Sequence, residues 1–355
     1  MGMFHKILQW VGDETHLLHL LQEFPTIALF GIIAICILSL AKGADWMIDG
    51  VVDLARRTGL PRIVIGATII SLGTTMPEAF VSVMAAWMGN PGLALGNGVG
   101  SIIADTGLIF GLTCMMTVIP MNRFILNRTG WVQVGSATLL VGIALAVLIW
   151  MEGEPVLSRW VGVLFLLLLG GYLYMTYAWA KQGAGKDMDK EKNDSTGSMG
   201  LGMCWLMVVG GLLIIVTSAR ILVPAASEIA QRIGVPDDVV AATMVAFGTS
   251  LPELMTAISA VRKGHPEIMV GNIVGADVLN CLFVIGAAAA AKPLVVPPNF
   301  YLFHFPAMLL ILYLFRFFIF TNKDGHFKRW QGGWLFGVYV VYLVLQYGFN
   351  MSDKL

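Results

Sequence analysis

The stretch that decides the fold is Gly73-Thr74-Thr75-Met76-Pro77-Glu78, because it occurs in the chain twice. It returns 175 residues later as Gly248-Thr249-Ser250-Leu251-Pro252-Glu253, and Gly96-Asn97-Gly98-Val99-Gly100 returns at the same spacing as Gly271-Asn272-Ile273-Val274-Gly275. Two shorter matches keep this spacing: Gly59-Leu60-Pro61 with Gly234-Val235-Pro236, and Pro91 with Pro266. A chance hexapeptide would not hold one register over four blocks, so the chain contains a duplicated unit.

The sequence around these blocks is too apolar for a water-soluble protein. It is 57% hydrophobic and 12% charged, whereas soluble domains are about 45–50% apolar and about 25% charged. Helices cross a bilayer with about 20 apolar residues, and long apolar runs lie at 26–40, 132–150, 160–180, 201–217 and 302–320. The predicted fold class is therefore an all-α integral membrane protein.

Its 22 basic and 22 acidic residues leave no excess positive charge for nucleic acid.

Turn signals between the apolar runs predict about ten transmembrane helices, five in each copy of the unit. They lie near 26–54, 62–88, 93–118, 131–150, 158–180, 200–230, 237–262, 267–291, 299–320 and 330–348. The predicted segments are an N-terminal amphipathic stretch (1–25), a first repeat (26–180), a charged cytoplasmic linker (181–199), a second repeat (200–348) and a C-terminal tail (349–355). The first of these has no continuous apolar core, which favours a helix at the membrane interface over a signal peptide.

The distribution of Lys and Arg predicts the orientation in the membrane. With the N-terminus outside, the cytoplasmic loops carry fifteen Lys and Arg and the outer side carries five. We therefore expect a multi-pass protein of the cell (plasma or inner) membrane with its N-terminus outside. Because each repeat has an odd number of helices, the second repeat must insert upside down, and such inverted repeats bind substrate near the midplane at their interface.

The duplicated motif has the chemistry of an ion site. Pro77 and Pro252 lack an N–H and free carbonyl groups one turn earlier, and a free carbonyl in hydrocarbon costs several kcal/mol unless it is satisfied. Glu78 and Glu253 follow the prolines, and Thr74 lies one turn before Glu78 on the same helix face. Such oxygen ligands suit Ca²⁺ and Na⁺. A single copy could be a helix kink with a hydrogen-bonded glutamate, but two copies in register favour an ion site.

A second group of candidate ligands follows the glycine-rich blocks. Ser101 and Asp105 are one helical turn apart, and their counterparts in the second repeat are Ala276 and Asn280. We expect Asp105 and Asn280 to face the site. Asp277 has no acidic counterpart, and the sequence leaves open whether it faces the site. The glycines also resemble the small-xxx-small pattern by which membrane helices approach closely, and this role is compatible with a neighbouring ion site.

The two motifs together resemble the α-repeats of the Ca²⁺/cation antiporter superfamily and, within it, are most similar to those of prokaryotic Na⁺/Ca²⁺ exchangers. The resemblance implies a ten-helix exchanger that works by alternating access, with the first and sixth helices sliding against the others. It implies that Glu78 and Glu253 bind Ca²⁺ together with Thr74 and Thr249, and that Asp105 or Asn280 lines the centre. It also implies that Na⁺ is held by oxygens at Ser71, Thr75, Ser101, Ala246, Ser250 and Ala276.

The chain departs from the pattern of this superfamily at two places. A serine is usual at the position of Ala276, and an acidic residue is commoner at the position of Asn280 than at that of Asp105. One hydroxyl ligand is therefore missing, although the carbonyl of Ala276 can replace it. These departures leave the coupling ion open between Na⁺ and H⁺.

The predicted function is secondary-active exchange of Ca²⁺ for Na⁺, with no cofactor and no obligatory protein partner beyond the lipid bilayer. The alternatives are an H⁺-coupled antiporter of Ca²⁺ or another divalent cation, a membrane-embedded hydrolase, and a channel. The sequence has no H-E-x-x-H or G-x-S-x-G motif, and hydrolysis does not require symmetric glutamates, so we expect no enzyme. No P-loop is present, which favours an ion gradient over ATP as the energy source.

Overall fold

The computed structural model describes residues 21–150, 153–191, 199–233, 250–322 and 324–348. Several sequence-based predictions fall outside these residues. They are the interfacial helix before residue 21, residues 192–198 of the linker, the start of the seventh helix with Ala246 and Thr249, and the C-terminal tail.

Within the described residues, the chain forms ten helices and four short strands. The first repeat contains α1 (Thr26–Thr58), α2 (Arg62–Trp87), α3 (Pro91–Met116), α4 (Arg123–Trp150) and α5 (Arg159–Glu191). The second contains α6 (Leu201–Arg232), α7 (Leu251–Arg262), α8 (Pro266–Ala291), α9 (Phe300–Thr321) and α10 (Arg329–Leu343, continued by Val344–Gly348). All of them except α7 and α10 are long and apolar enough to cross a membrane. The predicted all-α fold is confirmed.

The boundaries of the helices follow local signals. Gly59 ends α1 in the left-handed conformation (φ 67°) and donates its N–H to the carbonyl of Ala55, which caps the helix. At the start of α3, the side chain of Asn90 accepts a hydrogen bond from the N–H of Leu93, and Pro91 occupies the first turn. Helix α5 continues to Glu191, into the segment 181–199 that was predicted to be a linker. Charged residues do not by themselves end a helix, so the charge run does not stop α5 at the predicted boundary.

Five of the described helices contain a π-helical turn; α9 begins with one (Phe300–His304) and α10 ends with one (Val344–Gly348). Such turns occupy Gly66–Ile70 in α2, Asp105–Phe110 in α3 and Asn280–Ile285 in α8. The turns of α3 and α8 are 175 residues apart, so the duplication extends to irregular backbone. Pro77 lacks the N–H of a regular helix position but does not interrupt α2, since an α-helix runs continuously over Ser71–Trp87. Membrane helices tolerate proline when neighbouring helices and hydroxyl side chains satisfy the freed groups.

Glycines place the helices of the two repeats in close contact. A Cβ atom added to Gly271 on α8 would lie 2.0 Å from the carbonyl oxygen of Ile63 on α2, and one added to Gly66 would lie 2.4 Å from that of Ile268. Helix α1 packs along α6 in the same manner, because a Cβ on Gly211 would lie 2.6 Å from the carbonyl oxygen of Gly43. These crossings bear out the packing role expected for part of the glycine-rich blocks.

Two short ribbons join the repeats at opposite ends of the bundle. Strand β1 (Ile119–Pro120) pairs antiparallel with β4 (His326–Phe327), and β2 (Val156–Leu157) pairs antiparallel with β3 (Leu294–Val295). Each ribbon combines one strand from each repeat, and β1 and β3 are again 175 residues apart. Each ribbon therefore joins two links that the predicted topology places on the same face of the membrane.

Candidate cation-binding site

Most of the predicted ligands are buried in the centre of the bundle, on α2, α3, α7 and α8. The described candidates, each at most 4% exposed, are Ser71, Thr74, Thr75, Glu78, Ser101, Asp105, Ser250, Glu253, Ala276, Asp277 and Asn280. Polar groups at membrane depth are costly and are found where they pair with one another or line a pathway. The duplicated motif therefore places its polar residues inside the protein and away from the lipid.

Oxygen atoms in this group lack hydrogen-bond partners within the described residues, and most of them occur in pairs related by the repeat. Thr75 Oγ1 and Ser250 Oγ form one such pair, Glu78 Oε2 and Glu253 Oε2 a second, and Asp105 Oδ1 and Asn280 Oδ1 a third. Ser101 Oγ and Asp277 Oδ1 are also unpartnered. Leaving a buried acceptor unsatisfied costs about 1–3 kcal/mol, and a bound cation would satisfy several at once.

Residues that are each other's counterparts meet across the pseudo-two-fold axis. The Nδ2 atom of Asn280 lies 3.5 Å from Oδ2 of Asp105. The charge of Glu78 interacts with those of Glu253 and Asp105, and that of Asp105 also interacts with that of Glu253. Counterparts can contact each other only near the symmetry axis, so these four residues mark the interface between the repeats.

The hydroxyl groups of α2 are oriented by its own backbone. Thr74 Oγ1 donates to the carbonyl oxygens of Ile70 (3.2 Å) and Ser71 (3.3 Å), and it also contacts the carboxyl group of Glu253. Ser71 Oγ donates to the carbonyl of Thr68 at 3.4 Å. The lone pairs of both hydroxyls remain available to a cation. Thr249 and Ala246, the counterparts of Thr74 and Ser71, lie outside the described residues.

Asp277 is held by two residues that the sequence analysis did not single out. Its Oδ2 atom accepts hydrogen bonds from Thr106 Oγ1 and from Gln133 Nε2 on α4. Its charge interacts with that of Asp105, which places Asp277 next to the central cluster. Gln133 could have been noticed as a polar residue at the start of the apolar run of α4, whereas nothing in the sequence pairs it with Asp277.

The asparagines of the glycine-rich blocks hold neighbouring helices together. Asn97 Nδ2 donates to the carbonyl oxygen of Glu78 (3.0 Å) and to Ser82 Oγ (2.9 Å), while Asn272 Nδ2 donates to Thr256 Oγ1 (3.2 Å). Each asparagine therefore holds the helix that carries a motif glutamate. These blocks predicted close glycine packing, and this role of the amide was not predicted.

Acidic side chains alone do not make a metal site here. Among the described residues, no three His, Cys, Asp or Glu side chains come together closely enough to hold a metal ion. A Ca²⁺ ion at the interface would therefore need hydroxyl and carbonyl oxygens as well as carboxylates, and a ligand set of this mixed kind is usual for Ca²⁺.

Comparison with known proteins gives the family. The model of the family described as sodium/calcium exchanger protein matches residues 28–178 and 203–348, which cover both repeats. The chain belongs to the sodium/calcium exchanger family. As a member of this family of transporters it is a membrane cation antiporter, and the family gives no support to the hydrolase alternative.

Individual proteins match nearly the whole chain. The sodium/calcium exchanger MaX1 of Methanosarcina acetivorans is 28% identical over 343 residues, which cover 89% of this chain and 97% of MaX1. The inner membrane protein YrbG of Escherichia coli is 30% identical over 315 residues, which cover 88% and 94% of the two chains. A solved structure of the sodium-calcium exchanger NCX_Mj, soaked with Na⁺ and Sr²⁺, superposes with a TM-score of 0.74 at 26% identity and covers 90% of this chain and 99% of that one.

Proposed function

We propose that this protein exchanges Ca²⁺ for Na⁺ across the membrane by alternating access. The observation that carries the proposal is the set of buried, unpartnered oxygens that both repeats contribute in counterpart pairs. The names of MaX1 and NCX_Mj, which describe sodium/calcium exchangers, support the choice of ions. In keeping with the Lys and Arg distribution, we place the N-terminus outside.

In this proposal, Glu78 and Glu253 bind Ca²⁺ between them, and Thr74 and Thr249 complete the site. Two carboxylates neutralise one divalent cation, and the removal of Ca²⁺ leaves like charges that must be neutralised again. Na⁺ ions would supply that charge when they bind at the hydroxyls of Thr75, Ser101 and Ser250, at Ser71, and at the backbone carbonyls of Ala246 and Ala276. Ca²⁺ and Na⁺ then occupy the site in turn, which is the requirement for exchange.

Alternating access follows from the symmetry of the site. The ligands of the site come from two inverted repeats. A conformational change that closes the site to one face of the membrane therefore has a symmetry-related counterpart that closes it to the other face. Helices α1 and α6 pack on each other through glycines and contribute none of the proposed ligands. A movement of this pair past the remaining helices would expose the site to either face without dismantling it.

H⁺-coupled exchange is the second candidate, and the number of carboxyl groups favours it. Glu78, Glu253, Asp105 and Asp277 are all buried, at about 1% exposure each. One Ca²⁺ ion requires only two negative charges, so two further carboxyl groups are available to bind other ions. Protons and Na⁺ are therefore both compatible with the composition of the site.

The decisive experiment is uptake of radioactive calcium into proteoliposomes under an imposed outward Na⁺ gradient and, separately, under an outward H⁺ gradient. Glu78→Gln and Glu253→Gln should each reduce Na⁺-driven uptake by at least about 100-fold, because each removes one of the two charges that bind Ca²⁺. Glu154→Gln is the matched control, because this glutamate is exposed in the link between α4 and α5 and its substitution should leave uptake unchanged.

The outcomes separate the alternatives. Uptake that only the H⁺ gradient drives, with the same sensitivity to Glu78→Gln and Glu253→Gln, would keep the site and change the coupling ion. Full Na⁺-driven uptake in both variants would contradict the assignment of the glutamates. No calcium movement under either gradient would contradict the choice of Ca²⁺ as substrate.

A further inference from the structure

A groove runs along the lipid-facing side of the bundle between α4 and α9, away from the cation site. Its volume is about 510 Å³, and its walls are formed by residues such as Trp131, Gly135, Leu139, Gly142 and Tyr313. The exposed Trp131 and Tyr313 border it, and the hydroxyl of Tyr313 lies 3.1 Å from Thr138 Oγ1. Since this surface faces hydrocarbon, the molecules that surround it in the membrane are lipids.

A smaller groove lies on the other side of α4, against α5. It shares Gly135 and Leu139 with the first groove and is otherwise lined by Ser136, Tyr172 and apolar residues. Two adjacent grooves that meet at a glycine are suited to the two acyl chains of one phospholipid.

The end of the larger groove that lies near the start of α4 is cationic. Arg316 of α9 stacks on the ring of Trp131, with its guanidinium carbon 4.5 Å from the ring centroid, and Nη1 donates to Asn127 Oδ1 at 3.1 Å. Arg128 lies one turn before Trp131 on α4, and its guanidinium carbon is 3.7 Å from the ring of Phe124. This end of the bundle is the one that the Lys and Arg distribution predicts to be cytoplasmic.

Both arginines have hydrogen-bond donors that the protein does not use. Arg316 is only 7% exposed, and its Nε has no acceptor within the described residues; the same holds for the buried Nη1 of Arg128. No described carboxylate forms an ion pair with either side chain. A guanidinium at the membrane surface without a carboxylate partner favours an anionic acceptor, and phosphate matches its geometry well.

We propose that this surface is a binding site for an anionic phospholipid. The phosphate lies against Arg316 and Arg128, the interfacial ring of Trp131 borders the headgroup region, and the acyl chains occupy the grooves on either side of α4. Charge complementarity selects an anionic over a zwitterionic headgroup, because basic pockets between helices at the cytoplasmic side are typical of anionic lipid sites. The inference does not depend on which ions the protein exchanges.

The test measures lipid association with the purified full-length protein, using spin-labelled phosphatidylglycerol and spin-labelled phosphatidylcholine in vesicles of phosphatidylcholine. We expect phosphatidylglycerol to associate about fivefold or more strongly than phosphatidylcholine, and Arg316→Gln to abolish most of this preference. Gly135→Leu tests the acyl chains separately: a Cβ atom at Gly135 meets nothing within 4 Å, so the leucine fits the fold but fills both grooves. Arg262→Gln removes a charge from the end of α7 and should leave the preference unchanged.

Equal association of the two lipids with the native protein would overturn the proposal. So would a preference for phosphatidylglycerol that survives both Arg316→Gln and Gly135→Leu. Soluble glycerol phosphate is added as a competitor. Displacement of the lipid at concentrations comparable to that of the bound lipid would show a phosphate site without a role for the acyl chains, and would also contradict a lipid site.

Discussion

Gly271 and Gly96 occupy equivalent positions in the two repeats but have different surroundings. A Cβ atom on Gly271 would lie 2.0 Å from the backbone of α2, whereas one on Gly96 would approach only the ring of Phe300, at 3.9 Å. We predict that Gly271→Ala separates α2 from α8 and loses most exchange activity and several degrees of thermal stability, because the backbone of α2 cannot move locally. Gly96→Ala should behave like the native protein.

Melting of the purified protein, followed by tryptophan fluorescence, and calcium uptake check this prediction together. The two substitutions add the same methyl group to the same sequence motif, so they differ only in what the methyl group meets. Equal effects of the two substitutions would contradict the proposed crossing of α2 and α8 at Gly271.

Asp277 breaks the symmetry of the site, and its removal tests how that asymmetry is used. Asp277→Asn keeps the shape of the side chain but removes a charge beside Asp105. A carboxylate about 6 Å from a cation contributes roughly 2–3 kcal/mol per unit charge at an effective dielectric constant near 20. We therefore expect weaker binding of both ions, with a larger loss for Ca²⁺, whose charge is twice that of Na⁺.

The measurement is the half-saturating concentration of each ion in proteoliposomes. Thr106→Val, which removes one hydrogen bond to Asp277 but no charge, is the control and should have a smaller effect. If Asp277→Asn left both concentrations unchanged, Asp277 would not be close enough to the bound ions to take part.

The sequence predicted most of the residues in the central cluster, because the duplicated motif marks them directly. It could not predict Gln133 and Thr106 as partners of Asp277, since their proximity arises from the way α3 and α4 pack against α8. Nor could it predict which amide oxygens and hydroxyls stay without partners. That property depends on distances between helices, which no spacing along a single helix gives.

At the scale of the elements, apolar periodicity and turn residues placed most helix ends within a few residues of the observed ones. Helix α4 begins at Arg123, eight residues before its predicted start, and α5 ends at Glu191, eleven residues after its predicted end. The predicted start of α7 lies outside the described residues. The π-helical turns were not predicted, because no residue type marks them and their cost is offset only by tertiary packing. The two-residue strands were also missed, since each is too short to show alternation and forms only through a partner in the other repeat.

Helix α1 is tied to α7 by polar contacts that the other repeat cannot reproduce. Lys263 forms an ion pair with Asp49, and Ser259 Oγ donates to Asp45 at 2.6 Å. The counterparts of Asp49 and Lys263 are Pro224 and Met88, so the equivalent ion pair between α6 and α2 cannot form. If α1 moves during exchange, this contact stabilises one of the two access states over the other.

We predict that Lys263→Gln shifts the balance between the two access states by at most about 1 kcal/mol, the usual contribution of a partly exposed ion pair. The half-saturating Ca²⁺ concentrations at the two faces should then change in opposite directions by up to about fivefold. They can be measured in vesicles of defined orientation, with Arg262→Gln as the neighbouring charge control. Changes in the same direction at both faces would indicate an effect on the site and not on the access states.

In the whole molecule, each repeat buries a large part of its surface against the other repeat. Helix α5 packs against α8 of the other repeat, α10 packs against α3, and each ribbon takes one strand from each half. We predict that residues 1–199 and 200–355, produced as two separate chains, are each unstable alone and associate when produced together. Co-purification through a tag on one half and calcium uptake by the pair are the measurements.

A stable first half that resists proteolysis without the second would contradict this prediction. The control is the same pair with Gly271→Ala in the second half, because a methyl group at this crossing should prevent the two chains from associating. Recovery of an associated pair with this substitution would show that the crossing of α2 and α8 is not needed for assembly.

The interlocked halves also bear on how such a molecule could have arisen. The repeat extends, without insertion or deletion, from the glycine-rich blocks through the π-helical turns of α3 and α8 to strands β1 and β3, so the ancestral unit already had these surfaces. A single five-helix unit would have left the glycine face of its third helix open to lipid. It could cover that face only with a second copy inserted in the opposite orientation. The ancestor therefore had to insert into the membrane in both orientations before gene fusion fixed one orientation for each half.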